Sequence, residues 1–243
     1  RIPGVYYREE DGYGNFPNIS IRGGEGTRSD NVTVMEDGIL TAPAAYSAPS
    51  AYYSPNAARM GGLEILKGSS QIAHGPHTTG GVVNFLSTGF PTDHSFYLRS
   101  TYGSNSAFDV HSYWSDTSEG DFGKVGILAE IYYRQTDGFR TIDAGKGYAG
   151  SDETGFDLME PMVKLFWEPN SDVYQRFEFK WGTTEFEADE TYAGLTEADI
   201  AANPRRRYAG TFLDHMSTEH TRTYLKYLVE PADNLTIQVA GYY

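Results

Sequence analysis

Three stretches of the chain's second part alternate residue by residue, and that period limits the fold more than any other feature. In 124–134, KVGILAEIYYR, one face carries Val125, Ile127, Ala129, Ile131 and Tyr133, and the other Lys124, Gly126, Leu128, Glu130, Tyr132 and Arg134. Residues 173–181 set Val173, Gln175, Phe177, Phe179 and Trp181 against Tyr174, Arg176, Glu178 and Lys180, and 221–229 repeat the pattern. A side-chain period of two belongs to β-strands, so a helical second part is excluded. The period predicts strands at 94–102, 107–116, 123–135, 156–168, 173–185, 221–230 and 235–243. Their lengths reach the ~9–11 residues that cross a bilayer as tilted strands and exceed the ~5–6 usual in soluble sheets.

The predicted connections at 117–122, 169–172 and 231–234 are tight, whereas 136–155 and 186–220 are long, with 103–106 the short member on the long side. Short turns on one rim and long loops on the other are the asymmetry of an outer-membrane barrel, the short turns being periplasmic. Alternation by itself also fits a soluble Tyr-rich sandwich that binds glycans. No stretch approaches the ~18 consecutive apolar residues of a membrane helix, and the Arg1-Ile2-Pro3-Gly4 opening has no signal-peptide pattern. A helical membrane protein is therefore excluded.

The 243 residues carry a formal charge of −14 and no cysteine. The first argues against nucleic acid, which needs basic patches to displace counterions, and the second excludes disulfides and thiolate metal sites. The acid is concentrated late. Residues 1–90 hold 6 basic and 8 acidic side chains, and 91–243 hold 13 and 25.

Up to residue 90 the texture is short strands cornered by glycine. The pieces are Ile2-Pro3-Gly4-Val5, Ile19-Ser20-Ile21-Arg22-Gly23, and a β-branched run from Val32 ending in Asp37-Gly38, a hairpin signal. The stretch 63–87, LEILKGSSQIAHGPHTTGGVVNFLS, spaces Gly68, Gly75, Gly80 and Gly81 beside apolar runs, which predicts strands folded tightly on one another. Residues 41–55, rich in Ala, Pro, Ser and Tyr, read as an irregular loop, and 56–62 as a short helical turn stopped by Gly61-Gly62.

These words, in this order, resemble the plug domain of TonB-dependent outer-membrane receptors: "PGV", "IRG", the "V-x-V-x-x-DGI" strand, Glu64-Ile65-Leu66-Lys67-Gly68, and Gly75-Pro76 through Gly80-Gly81-Val82-Val83-Asn84. Further on, Gly194-Leu195-Thr196, Ala198-Asp199 and the basic Asn203 to Tyr208 stretch are similar to the third extracellular loop of the ferric dicitrate branch. The resemblance implies a mainly β chain: a small mixed plug at 1–90, then about seven antiparallel strands at 91–243 of a transmembrane β-barrel of about 22 strands. Such a chain is a portion of a longer receptor. Its implied function is TonB-dependent active transport of a ferric chelate, ferric citrate or a related siderophore, across the outer membrane of a Gram-negative bacterium. Iron is then chelated cargo and the protein needs no cofactor. The implied partners are the chelate, the TonB–ExbB–ExbD complex, and outer-membrane lipid and lipopolysaccharide. Plug words are shared among cargoes, so another siderophore, cobalamin or a sugar stays open.

For ligand contact, Arg205, Arg206 and Arg207 form the densest positive charge in an acidic segment, and guanidinium forks suit carboxylates. The competing reading pairs them with Glu185, Glu187, Asp189 and Glu190, or with lipopolysaccharide phosphate. The resemblance places Arg28, Tyr46, Ser47, Tyr52 and Tyr53 in the loops of the plug apices below the ligand, with packing against the barrel wall the competing reading for Arg28, Tyr52 and Tyr53. It makes Arg22 a plug–barrel contact whose partner is a carboxylate such as Glu130 or Glu178. The histidines at 74, 77, 94, 111, 215 and 220 lack metal spacing, and no nucleophile or phosphate-loop motif points to an enzyme.

Overall fold

The structure, a computed structural model, describes residues 2–23, 29, 31–41, 53–68, 74 and 80–243. The chain divides into two compact units, Arg1–Gly89 and Phe90–Tyr243.

In the first unit β1 (Val5–Glu9) and β2 (Pro17–Ile21) form an antiparallel pair. A four-stranded sheet runs in the order β4 (Ile39–Leu40), β3 (Val32–Glu36), β6 (Gly81–Ser87), β5 (Met60–Leu66), with β3 parallel to β6. Every residue of β3 is buried, which is why its Val-Thr-Val-Met run does not alternate. Ile19, Ile21, Val32, Val34, Val83 and Phe85 make the core, with Val5, Met60 and Ile65 against it. Asp37 and Gly38 both have positive φ, 53° and 80°, as a two-residue hairpin turn between β3 and β4 requires. Gly80 donates its N–H to Asn31 O at 2.7 Å, and a Cβ there would lie 2.7 Å from that same oxygen. This is the close backbone approach that the glycine spacing predicts.

One local expectation fails. The helical turn is a 3-10 turn of only Ala57–Arg59, capped by the Asn56 side chain, and Gly61-Gly62 belong to β5 instead of ending a helix. Pairing with β6, through an irregularity between Met60 and Gly62, outweighs the weak local helical preference.

The second unit is an antiparallel meander of β7 (Ser95–Tyr102), β8 (Phe108–Gly120), β9 (Gly123–Thr136), β11 (Phe156–Glu168), β12 (Tyr174–Ala188), β14 (Met216–Ala232) and β15 (Leu235–Tyr242), each strand bonded to the next. The small strands β10 (Thr141–Ile142) and β13 (Arg206–Arg207) lie in the long loops. One rim has the tight turns 121–122, 169–173 and 233–234, and the other has 103–107, 137–155 and 189–215. Strands outrun the sequence expectation at both rims. The polar 117–120 segment pairs on through Gly120↔Gly123, and Phe186, Glu187 and Ala188 pair with Thr218, Ser217 and Met216.

The sheet's polarity is reversed relative to a soluble protein. Register brings Phe96, Trp114, Ala129, Val163 and Trp181 into one row across five strands, with Leu165, Phe179 and Leu225 beside it. That face stays open: Phe96 is 68% exposed, Leu98 59% and Leu225 57%. The opposite face buries Glu130, Glu160, Lys164 and Lys180. Several of its polar groups pair laterally, with His111 Nε2 at 2.7 Å from Glu130 Oε1, Thr184 donating to Glu160 at 2.8 Å, and Tyr224 donating to Glu178 at 2.6 Å. Near the tight-turn rim Trp167, Phe177 and Tyr227 stack at 5.5 and 4.7 Å, and Trp167 Nε1–H donates to Phe122 O at 2.9 Å. An apolar band ending in amphipathic aromatics is what a lipid boundary requires.

Candidate functional site

The two long loops of the second unit, 137–155 and 189–215, fold onto each other at the rim opposite the tight turns. The first closes at its base through Thr154, wholly buried, whose hydroxyl donates to Arg140 O at 3.0 Å and accepts from Arg140 N–H at 3.2 Å. The second carries the short helix α1 (Glu197–Ala202), started by Thr196, whose hydroxyl accepts from Asp199 N–H at 3.2 Å and donates to Asp199 Oδ2 at 2.7 Å.

β10 and β13 join the loops as a parallel bridge, with Thr141 N–H donating to Arg205 O at 2.8 Å and Asp143 N–H to Arg207 O at 2.9 Å. Parallel pairing of two segments so far apart in sequence needs a crossover connection, here the intervening strands β11 and β12. Side chains extend the contact. Arg140 donates to both oxygens of Glu190 at 2.9 and 2.8 Å, and the Tyr148 ring stacks on Phe212 at 4.6 Å.

The three arginines have three different fates. Arg207 is buried, donating from Nε to Thr211 Oγ1 at 2.8 Å and from its two NH groups to the carbonyls of Asp189, Thr211 and Asp214. Arg206 donates from Nε to Asp143 Oδ2 at 2.6 Å and from an NH group to Asp199 Oδ1. Arg205 is exposed and makes no ion pair among the described residues, while its backbone is fixed by the bridge. Tyr208 donates to Asp199 Oδ2 at 2.5 Å. The hydrogen bonds from Tyr208 and then Thr196 hold the Asp199 carboxyl below the ordinary aspartate range, and the bond to Asp143 raises Arg206 further.

The carboxylate partners are therefore Asp143 and Asp199, both on Arg206, not Glu185, Glu187, Asp189 or Glu190. Glu190 is taken by Arg140, Asp189 gives Arg207 only its carbonyl, and Glu185 and Glu187 sit exposed on β12, on its open face. The Thr196-x-x-Asp199 spacing is a capping signal readable in the sequence, but nothing local marks Asp143.

Arg28, Tyr46, Ser47 and Tyr52 lie outside the described residues. Arg22 follows β2 in the left-handed region at φ 59°, with its N–H donating to Gly4 O at 2.7 Å. Of its two expected partners, Glu130 faces His111, and Glu178 accepts from Tyr224 and from Arg176 at 3.3 Å. Tyr53 carries a contact that the sequence did not mark. Its hydroxyl donates to Glu36 at 2.6 Å, and Arg59, 1% exposed, donates to Glu36 at 3.1 Å and to Tyr53 Oη at 2.8 Å.

A family model described as the TonB-dependent receptor plug domain matches residues 1–82. Among solved structures, the chain is similar to the unliganded ferric citrate transporter FecA, with a TM-score of 0.76 at 21% identity over 100% of this chain and 35% of that one. It is also similar to the ferric yersiniabactin uptake receptor FyuA from Yersinia pestis, with a TM-score of 0.77 at 18% identity over 99% and 36%. A third is FpvA of P. aeruginosa bound to a heterologous pyoverdine, with a TM-score of 0.67 at 14% identity over 99% and 30%. The chain thus spans about a third of the length of the structures it matches. At these identities the structures carry the fold, and the family model carries the lineage of the first unit. Residues 1–82 thus match the TonB-dependent receptor plug domain, and the whole chain shares the fold of these receptor structures, a plug followed by seven antiparallel strands.

Proposed function

We propose that the chain serves TonB-dependent uptake of a ferric chelate across the outer membrane of a Gram-negative bacterium, energised through the TonB–ExbB–ExbD complex. The carrying observation is a plug domain followed directly by a sheet that exposes its apolar face and buries its charges. That polarity suits a wall between lipid and a polar interior and is costly in water, which disfavours the soluble glycan-binding reading. Iron is cargo inside its chelator, and lipid and lipopolysaccharide meet the open face.

For the cargo class we favour chelates bearing carboxylates, ferric citrate or a related siderophore. Arg205 is the supporting residue, an exposed guanidinium whose backbone is held in place. Arg206 and Arg207 are committed to the loop pair and support Arg205 instead of meeting the ligand themselves. Arg28, Tyr46, Ser47 and Tyr52 remain the proposed contacts from the plug, and Arg22 the proposed plug–barrel contact. FecA is a ferric citrate transporter, FyuA takes up ferric yersiniabactin and FpvA was solved with a pyoverdine–iron complex, so iron chelates are common to the similar structures.

The test is growth under iron limitation with single chelates as sole iron source, with and without the gene. Gene-dependent growth on ferric citrate or a related siderophore is expected. Growth that never depends on the gene, or depends on it only for cobalamin or a sugar, rejects the ferric-chelate assignment. On the chelate that supports growth, Arg205→Ala is expected to weaken binding by about tenfold, the loss of one charge-assisted pair. Unchanged affinity removes Arg205 from the site.

A further inference from the structure

We propose that Arg206 is a positioning residue for cargo capture, pinning loop 137–155 to loop 189–215 so that they present Arg205 on one preassembled surface. The proposal rests on the chelate-receptor reading above.

Two long loops would normally sample separate conformations and lose that freedom when a ligand orders them, which weakens binding. Here they are already joined by the β10–β13 bridge, the Arg140–Glu190 pair and the Tyr148–Phe212 stack. Arg206 differs from these contacts because one side chain reaches two carboxylates on different segments, Asp143 in the first loop and Asp199 in α1. A planar guanidinium donates in two directions at once, whereas a lysine ammonium is a single point charge. The carboxylates also make its removal worse than neutral, because Asp143 and Asp199 then face each other with no cation between them and repel. Thr196 and Tyr208 hold the Asp199 carboxylate in place, so the pin has a fixed end. The residue it positions is its neighbour, since Arg205 O accepts from Thr141 within the same bridge.

The test is made on the receptor in outer-membrane vesicles. These 243 residues contain no cysteine, so Lys146→Cys and Ala201→Cys, both at exposed positions, give one label in each loop. The distance distribution is read by pulsed electron spin resonance, together with the affinity and maximal transport rate for whichever chelate supports growth. The native pair is expected to show one narrow distance, unchanged by chelate. Arg206→Ala is expected to broaden it and weaken affinity about fivefold or more with the maximal rate unchanged, as loss of preorganisation implies. Arg206→Lys is expected to fall between, and Arg206→Ala with Asp143→Asn to recover part of the narrow distance. A narrow distance in Arg206→Ala overturns the pin, and a broad one with native affinity overturns the positioning role. A native receptor that transports no ferric chelate overturns the transport reading, which is read on a separate measurement from the distance.

Discussion

Arg59 and Glu36 form a buried ion pair among the described residues of the first unit. Both are buried and hydrogen-bonded to each other and to Tyr53, so removing either partner strands a charge out of water. Glu36→Gln or Arg59→Met is expected to cost about 3–5 kcal/mol of plug stability, and replacing both by apolar residues much less. Limited proteolysis of the intact receptor in increasing urea measures this, and equal damage from the single and double replacements refutes it. Asp199 makes a prediction of the opposite kind. A carboxyl held below its ordinary value stabilises above that value and loses the contribution only as pH falls through the lowered one. The Arg206–Asp199–Tyr208 contacts therefore persist unchanged from pH 8 to pH 5. In a His215→Gln background, which removes the only histidine of loop 189–215, protease cutting of the loop at the two pH values is expected to match. Cutting that rises at pH 5 contradicts the assignment.

At the scale of elements, β9 and β11 show how the wall is fitted. Gly126 lies under the Phe166 ring, and a Cβ there would collide with it. That ring is held by Arg176 at 4.1 Å from its centroid and by Phe90 edge-on at 4.7 Å, so it has little room to yield. Gly126→Ala is expected to cost about 1–3 kcal/mol by overpacking, seen as a lower temperature for the heat-induced shift in electrophoretic mobility. A mobility shift at the native temperature shows that the ring yields freely. The strands themselves were legible because a period of two survives wherever one face is constrained, as in Val125 to Tyr133. Their ends were less so. Glu187 and Thr117 read as loop because they are polar, yet both belong to continuing strands, Glu187 on the open face and Thr117 half-buried on the other. The loop pair was illegible for a different reason. Arg206 looks like a free cation until Asp143, 63 residues away in sequence, is brought beside it, and no local pattern encodes that pairing. The Asn56–Gly62 turn failed by the same rule, since pairing with β6 decided the conformation of Gly61 and Gly62.

At the scale of the molecule, two kinds of order follow from one chain. The first unit has an apolar core and buries Val32, Val34 and Val83 as any water-surrounded fold does. The second turns that rule around, burying Glu160 and Lys180 while leaving Phe96 and Leu225 open. The proposed transport role depends on that reversal, which suits a lipid-facing wall in the second unit. Nitroxide labels placed one at a time from Ile127 to Tyr132 in the membrane-embedded receptor test it most directly, by collision with lipid-soluble oxygen and with a water-soluble nickel chelate. The expected result is a period of two, with positions 127, 129 and 131 open to oxygen and shielded from nickel, and 128, 130 and 132 shielded from oxygen. Positions 127, 129 and 131 open to nickel instead would place that face in water and contradict the account.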